Sequence, residues 1–466
     1  MATSSIAFDP DLIRRYDVPG PRYTSYPTAP HFASDFQEAQ LREAAAVTNG
    51  DPIPRPLSIY VHVPFCASPC FYCGCNRIIT RDKARGDAYL MRLYREIGMA
   101  STLFDRDREV VQLHFGGGTP NFLAPTQIAE VMDVIQHQFA FTRSGKPDCS
   151  IELDPRFVSP DDIAVLAAAG LNRASLGVQD FDPAVQAAVN RVQSVEETRA
   201  IVEACRRHGF RSVNIDLIYG LPLQTVEGFT RTLDTTLQMR PDRLAIYGYA
   251  HLPSLFKAQK HIHAEQLPSP ETKLQLLQLA IAKLSEAGYV YIGMDHFALP
   301  DDELAIAQAK GDLHRNFMGY STCADSDLIG LGVSAISHVG ASFSQNPRDL
   351  PSWERAIDEG RLPVWRGMRL DADDVLRADV IQQLMCHGEI DFAVMEARHV
   401  IDFRSYFADA LRRLQHLQED GLVTLTARGI KATSRGRLLL RTLAMCFDRY
   451  LPKPSESAPV QFSRTI

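Results

Sequence analysis

Leu57-Ser58-Ile59-Tyr60-Val61-His62-Val63-Pro64-Phe65-Cys66, running on through Cys70, Cys73 and Cys75 to Asn76, is the stretch from which the fold is read. Seven residues rich in β-branched and aromatic side chains, halted by a proline, predict a buried strand over 57–63. The loop after it carries four of the nine cysteines of the chain within ten residues. Thiolates packed this closely repel one another and oxidise readily, so the pattern points to an electrophilic partner.

Outward from that strand the chain alternates. Strands are predicted at 57–63, 110–115, 150–153, 173–178, 212–218, 243–249 and 289–293, with helical periodicity between them at 84–100, 124–139, 160–169, 195–208, 225–239 and 270–287. Ser159-Pro160-Asp161-Asp162 and Ser269-Pro270-Glu271 place a capping hydroxyl before a proline and first-turn acids, which predicts helix starts. Strand then helix, six or seven times, implies a parallel sheet and an α/β fold, a partial or complete TIM-like (β/α) barrel. Polar residues recur at the carboxyl end of each predicted strand: the cysteine loop, Gly116-Gly117-Gly118-Thr119-Pro120, Glu152 and Asp154, Gln179 and Asp180, Asp216, Tyr249 and His251, Asp295 and His296. In barrels that end carries the chemistry.

The flanks have a different texture. Residues 1–50 are expected to form an N-terminal arm: prolines at 19, 21, 27 and 30 break a regular helix, while Tyr16, Tyr23 and Tyr26 are unlike a solvated leader. The barrel is expected over 51–370. A smaller, mainly helical, winged-helix-like domain is expected over 371–466, with helices at 371–386 and 403–419, a hairpin around Ala427-Arg428-Gly429, a last helix to about Tyr450, and a loose tail from Pro452 to Phe462. Arg428, Lys431, Arg435, Arg437 and Arg441 make that domain locally basic. A winged shape does not by itself imply nucleic-acid binding; the charges read first as a solvated basic face, next as a patch for an acidic substrate, and last as a DNA contact.

Across the 466 residues the formal net charge is −7, which disfavours nucleic acid or an anionic membrane bound through the general field. No stretch approaches the 18 or so apolar residues of a membrane span, and the start of the chain lacks a signal-peptide pattern. A cytoplasmic protein with reduced thiols is expected. Cys149, Cys205, Cys323, Cys386 and Cys446 occur singly and read as small buried hydrophobes.

The spacing C-x3-C-x2-C puts three thiols on one tight loop, with Cys75 following as C-x-C. Structural zinc usually takes two separated pairs, and zinc held by all four neighbouring cysteines is cramped. A 4Fe-4S cluster takes four thiolates, so three close ligands leave one iron open to a small chelating molecule with an amine and a carboxylate, as S-adenosylmethionine has. The glycines after the second strand allow backbone to approach such a molecule.

Cys66-x3-Cys70-x2-Cys73 followed by Gly117-Gly118-Thr119-Pro120 resembles the radical S-adenosylmethionine superfamily. Pro21-Arg22-Tyr23-Thr24-Ser25-Tyr26-Pro27, Phe71-Tyr72-Cys73-Gly74-Cys75-Asn76, Leu176-Gly177-Val178-Gln179-Asp180-Phe181, Asn214 to Pro222 and Tyr249 to Pro253 together resemble one family within it, the oxygen-independent coproporphyrinogen III oxidases. That resemblance implies a barrel of the radical S-adenosylmethionine type and decarboxylation of two propionate side chains of coproporphyrinogen III to vinyl groups, giving protoporphyrinogen IX in haem biosynthesis. A 5'-deoxyadenosyl radical does this chemistry in the family. A haem-binding chaperone of the same superfamily, without decarboxylase activity, is the alternative.

The resemblance also implies roles. Cys66, Cys70 and Cys73 are the cluster ligands, with Tyr60, Gly117, Glu152 and Ile336 around the S-adenosylmethionine at the open iron. Tyr72, Gly118, Thr119, Gln179, Arg191, Asp216 and Ala250 hold a second S-adenosylmethionine, and Tyr60 and Cys75 are placed next to the chemistry. Arg22 and the basic C-terminal residues are candidates for docking the carboxylates of the substrate. An electron donor such as flavodoxin or ferredoxin, no nucleic-acid partner, no membrane insertion and a monomeric state complete the expectations.

Overall fold

A computed structural model describes residues 6–323, 325–451, 462 and 464. The expected loose tail from Pro452 to Phe462 lies, but for its last residue, outside them. The chain divides into two compact units, each discontinuous in sequence: Phe32–Lys283 with Asp325–Arg369, and Met1–His31 with Leu284–Ala324 and Leu370–Ile466.

The larger unit is built on parallel strands: β1 (Leu57–Val63), β2 (Val110–Gly117), β3 (Asp148–Leu153), β4 (Arg173–Gln179), β5 (Ser212–Tyr219) and β6 (Arg243–Gly248) lie side by side in chain order. Helices α1 (Ala84–Ser101), α2 (Pro125–Gln138), α3 (Pro160–Ala168), α4 (Val195–Arg207) and α5 (Val226–Met239) connect them. β1 is buried on both faces except at half-buried Tyr60, as a parallel strand covered by helices should be. The expected caps form: Ser159 Oγ accepts from the Asp162 amide at 3.3 Å at the start of α3, and Ser269 Oγ accepts from the Thr272 amide at 3.1 Å at the start of helix Pro270–Glu286. Ser194, not singled out in the sequence, caps α4 by accepting from the Glu197 amide at 3.1 Å. Each contributes about 1 kcal/mol.

A strand not expected from the sequence completes this core. β7 (Asp327–Leu331) pairs parallel with β1, and β8 (Ile336–Val339), β9 (Ser342–Gln345) and β10 (Arg366–Arg369) extend the sheet antiparallel beyond it. β1 is therefore central. The buried Arg108 guanidinium donates to Asp327 Oδ2 at 2.6 Å at its base. At its upper end, Tyr89 on α1 donates to the His62 carbonyl at 2.7 Å and its ring packs 4.6 Å from that of Trp353.

The second unit corrects two expectations. Val290–Gly293, read as a seventh parallel strand, pairs antiparallel with His296–Ala298, so Asp295 and His296 belong to a tight hairpin. The predicted helix 403–419 is interrupted at Phe407, giving Phe403–Tyr406 and Ala408–Glu419, while the last helix is only Leu440–Met445 after a 3-10 turn. The hairpin Val423–Leu425 with Gly429–Ala432 forms and gains a third strand, Glu389–Asp391. The arm holds a short helix, Pro10–Tyr16, ahead of its prolines. Beyond it Tyr23 and Tyr26 are buried in a core with Phe403, Phe407 and Phe447. Two buried arginines grip four successive arm residues: Arg441 donates to the Gly20 and Pro21 carbonyls, Arg315 to those of Arg22 and Tyr23. Lys431 pairs with Glu389 and Arg435 with Asp9, so these basic residues do not form one open patch.

Among the described residues no helix is long and apolar enough to cross a membrane. All nine cysteines are free thiols, and four of the five scattered ones are buried, Cys323 being intermediate.

Candidate cofactor site

At the carboxyl ends of β1 to β5 a cavity of about 240 Å³ opens in the larger unit. Cys66, Cys70, Cys73 and Cys75 all line it, joined by Gly117, Gly118 and Thr119 from the end of β2. Glu152, Gln179, Arg191, Asp216 and Tyr72 line it as well.

The cysteine loop is held from behind by a residue the sequence reading did not single out. Arg77 donates to the carbonyls of Cys70, Cys73 and Cys75 at 3.2–3.4 Å. Each of the three closely spaced sulfurs also receives a donor: Thr119 Oγ1 lies 3.2 Å from Cys66 Sγ, Arg191 Nη1 3.4 Å from Cys70 Sγ, and the Cys75 amide 3.4 Å from Cys73 Sγ. Such contacts favour the thiolate form over the thiol. A hydrogen bond from the Cys75 thiol, with Arg77 assisting, lowers Cys73 to about 6, whereas burial raises Cys66 to about 11. Cys75 differs from the others in being exposed.

Arg191 is aimed by the turn before it. Asn190 takes a left-handed conformation, φ 54°, tolerable for asparagine, and its amide donates to the Pro69 carbonyl in the cysteine loop at 2.6 Å. The Arg191 guanidinium then reaches Cys70, Asp154 Oδ2 at 3.1 Å, and the Gly177 carbonyl. Burial alone would raise Asp154; Arg191 and Arg156 outweigh it and hold the carboxyl below its ordinary range. Asp154 and Arg156 thus belong to the site, the first flagged only as a strand-end acid, the second not at all.

The strand registers set a polar row above the sheet. Glu152 lies opposite Ser175 and Gly177 opposite Asp216. Ser175 donates to Asp216 Oδ2 at 3.0 Å and Asn214 to its Oδ1 at 2.7 Å. Burial, then the neighbouring Glu152 charge, raises Asp216 to about 6. The Glu152 side chain is 45% exposed, with His114 Nε2 3.4 Å away. Gly117 has φ +117°, and a Cβ there would meet the His62 ring at 2.8 Å. Gln179 also has positive φ, 73°, an outlier of the kind that gathers at functional sites.

Three expected site residues do not line the cavity. The Tyr60 ring stacks on His114, centroids 5.9 Å apart, and its hydroxyl lies 3.1 Å from His62 Nδ1. Burial pushes that phenol well up. Ile336 sits behind Gly330, the residue in register with Tyr60 on β7. Ala250 is tied to the site through Gln259, whose amide donates to the carbonyls of both Ala250 and Tyr72.

Among the described residues no three His, Cys, Asp or Glu side chains gather tightly enough for a single metal ion. Three thiols around one cavity, each with a hydrogen-bond donor, instead suit a multi-atom group held by sulfur. The donor set is the kind that tunes iron–sulfur centres.

Comparison with known proteins bears on the same residues. Residues 60–236 match the radical SAM superfamily, and residues 370–439 match the HemN C-terminal domain. The oxygen-independent coproporphyrinogen III oxidase of Pseudomonas aeruginosa is 50% identical over 462 residues, 99% of each chain. That of Escherichia coli K12 is 47% identical over the whole of both chains. A solved structure of Escherichia coli coproporphyrinogen III oxidase, described as a radical SAM enzyme, superposes with a TM-score of 0.91 at 47% identity, over 96% of this chain and 100% of that one.

Proposed function

The chain belongs to the oxygen-independent coproporphyrinogen III oxidases of the radical S-adenosylmethionine superfamily, and on that footing we propose how its residues divide the reaction. The enzyme is an oxidoreductase of coproporphyrinogen III that uses a 4Fe-4S cluster and S-adenosylmethionine. In the reaction two propionate side chains each lose a hydrogen atom, carbon dioxide and one further electron, leaving vinyl groups. When bound, the reduced cluster with S-adenosylmethionine supplies a carbon radical able to take hydrogen from a propionate C–H, which no closed-shell side chain of the protein can do.

Cys66, Cys70 and Cys73 would hold the cluster; Cys75, exposed but lining the same cavity, stays outside the ligand set. Arg77 fixes the loop so that the three sulfurs keep their spacing. Arg191, paired with Asp154, steadies the charge on Cys70 and offers its fork to a carboxylate. Gly117 lets backbone approach the cofactor, and Glu152 is placed to take its ammonium or ribose hydroxyls, with Tyr60 and Ile336 forming the wall behind. A second S-adenosylmethionine is assigned to Tyr72, Gly118, Thr119, Gln179, Arg191, Asp216 and Ala250. Arg22, ion-paired with Asp295, is the candidate for a substrate carboxylate. A flavodoxin or ferredoxin supplies the electrons in the cytoplasm, whose reducing poise keeps the six cysteines outside the ligand set as thiols.

The observation that carries this assignment is the convergence of three donor-supported thiols on the cavity that also holds Gly117 and Glu152. The test is anaerobic reconstitution with iron and sulfide, then addition of a reductant, S-adenosylmethionine and coproporphyrinogen III. Release of 5'-deoxyadenosine and carbon dioxide is expected. Absence of 5'-deoxyadenosine would reject it.

A further inference from the structure

The loop between Cys66 and Cys70 has a second open side. A concavity of about 440 Å³ lies there, and Ala67, Ser68, Thr119 and Phe157 line both it and the cofactor cavity. One layer of residues therefore separates the two spaces. The remaining lining includes Arg81 and Lys83 and no acidic residue. Arg81 is exposed and has no ion-pair partner among the described residues. Lys83 stands 4.2 Å over the Phe122 ring. The nearby acids Asp82 and Asp87 keep their charge but are held by neutral donors, the Ala84 amide and Gln127, and neither forms an ion pair with Arg81 or Lys83 among the described residues.

Large hydrophobics are exposed in this lining and beside the start of the Cys66–Cys70 loop. Phe157 is 45% exposed, and Ile79, in register with Cys66, is 43% exposed. Exposed large hydrophobics beside cations that form no ion pair among the described residues, Lys83 donating only to the Phe122 carbonyl, are the composition of a transient protein contact rather than of a small-ligand pocket. The whole chain carries −7. A negatively charged partner is repelled by the general field and attracted at this spot, which favours one docking orientation.

We propose that this face, centred on Arg81, Lys83 and Phe157, is where an acidic one-electron carrier of the flavodoxin class docks to deliver electrons through the Cys66–Cys70 loop. The inference rests on the assignment of Cys66 and Cys70 as cluster ligands. The carrier is oxidised by one electron and the cluster reduced by one; no bond forms between the proteins.

The test compares wild type with R81E and R81Q. Affinity for oxidised flavodoxin is measured by anaerobic calorimetric titration on the reconstituted, oxidised protein at low and at high salt, and 5'-deoxyadenosine formation is measured with flavodoxin hydroquinone and with dithionite as alternative reductants. R81E is expected to weaken flavodoxin binding roughly tenfold at low salt, with a smaller loss for R81Q and a diminished difference at high salt. The flavodoxin-driven rate falls in parallel and the dithionite-driven rate stays at the wild-type value. Unchanged affinity in R81E, or an equal loss with both reductants, overturns the proposal. A wild-type protein that forms no 5'-deoxyadenosine even with dithionite overturns the cofactor reading itself, and the docking site with it.

Discussion

Arg191 Nη1 lies 3.4 Å from Cys70 Sγ and is buried with it, so the guanidinium is the fixed counter-charge of one proposed cluster ligand. The same nitrogen lies 3.1 Å from Asp154 Oδ2. Replacing Arg191 by methionine keeps the volume but removes a charge from both partners. Breaking a buried pair from one side costs roughly 3–5 kcal/mol, moderated here because Arg156 still holds Asp154 at 2.7 Å. R191M should fold with reduced stability and take up less iron. R191K should not restore iron binding, since an ammonium cannot reach Cys70, Asp154 and the Gly177 carbonyl together. Iron per chain after reconstitution, beside urea unfolding of the iron-free chain, checks both.

Gly117 and Gly98 form a matched pair of glycines. Gly117 has φ +117° with the His62 ring where a Cβ would go, whereas a Cβ on Gly98 in α1 meets nothing within 4 Å. G117A should lose about 1–3 kcal/mol from backbone strain, with the clash added, and should fail to bind S-adenosylmethionine. G98A should gain about 0.5–1 kcal/mol. Urea midpoints and equilibrium dialysis of labelled cofactor give the two readouts.

Glu96 is a buried carboxyl that accepts from the Gly332 amide, Asn346 and Trp353 Nε1. Burial raises it to about 7 despite those donors. The native state then binds its proton more tightly than the unfolded chain, whose value is near 4.5. The stabilisation is complete below about 4.5 and is lost as pH rises through about 7, a change of about 3 kcal/mol. Unfolding free energies between pH 4.5 and 8 should show this decline in wild type and a flatter profile in E96Q. Parallel profiles would reject it.

Arg441 is 5% exposed and donates to carbonyls of Gly20, Pro21 and Arg464. R441A leaves buried carbonyls without donors, each costing about 1–3 kcal/mol. The arm should become sensitive to proteolysis around residues 17–24 while the larger unit keeps its resistance. If Arg22 docks substrate, R441A and R22A should both raise the KM for coproporphyrinogen III more than they lower kcat. An arm as resistant to protease as wild type would contradict the clamp.

The parallel core was legible because its signals are local. Residues 57–63 announce a buried strand by composition, and Ser159 and Ser269 start their helices where a capping hydroxyl precedes a proline and acids. What escaped depends on distant pairing. Asp327–Leu331 joins β1 across some 260 residues of chain, with nothing in its own pattern to separate a parallel strand from a loop. The hairpin at Val290–Gly293 looked like another strand before a helix because periodicity carries no pairing direction. In the site, residue types that announce chemistry were found: cysteines, clustered glycines, strand-end acids. Arg77 and Arg156 were missed because arginines in a loop look solvated until the fold turns them inward, although Arg77 two residues after Cys75 is a signal that could have been read.

The distinction among the four clustered cysteines is the central claim, and iron content decides it. After anaerobic reconstitution, C66S, C70S and C73S should each lose most of their iron and sulfide, while C75S should retain about four irons per chain with the absorption of a 4Fe-4S centre. Loss of the cluster in C75S to the same extent as in the other three would contradict the account.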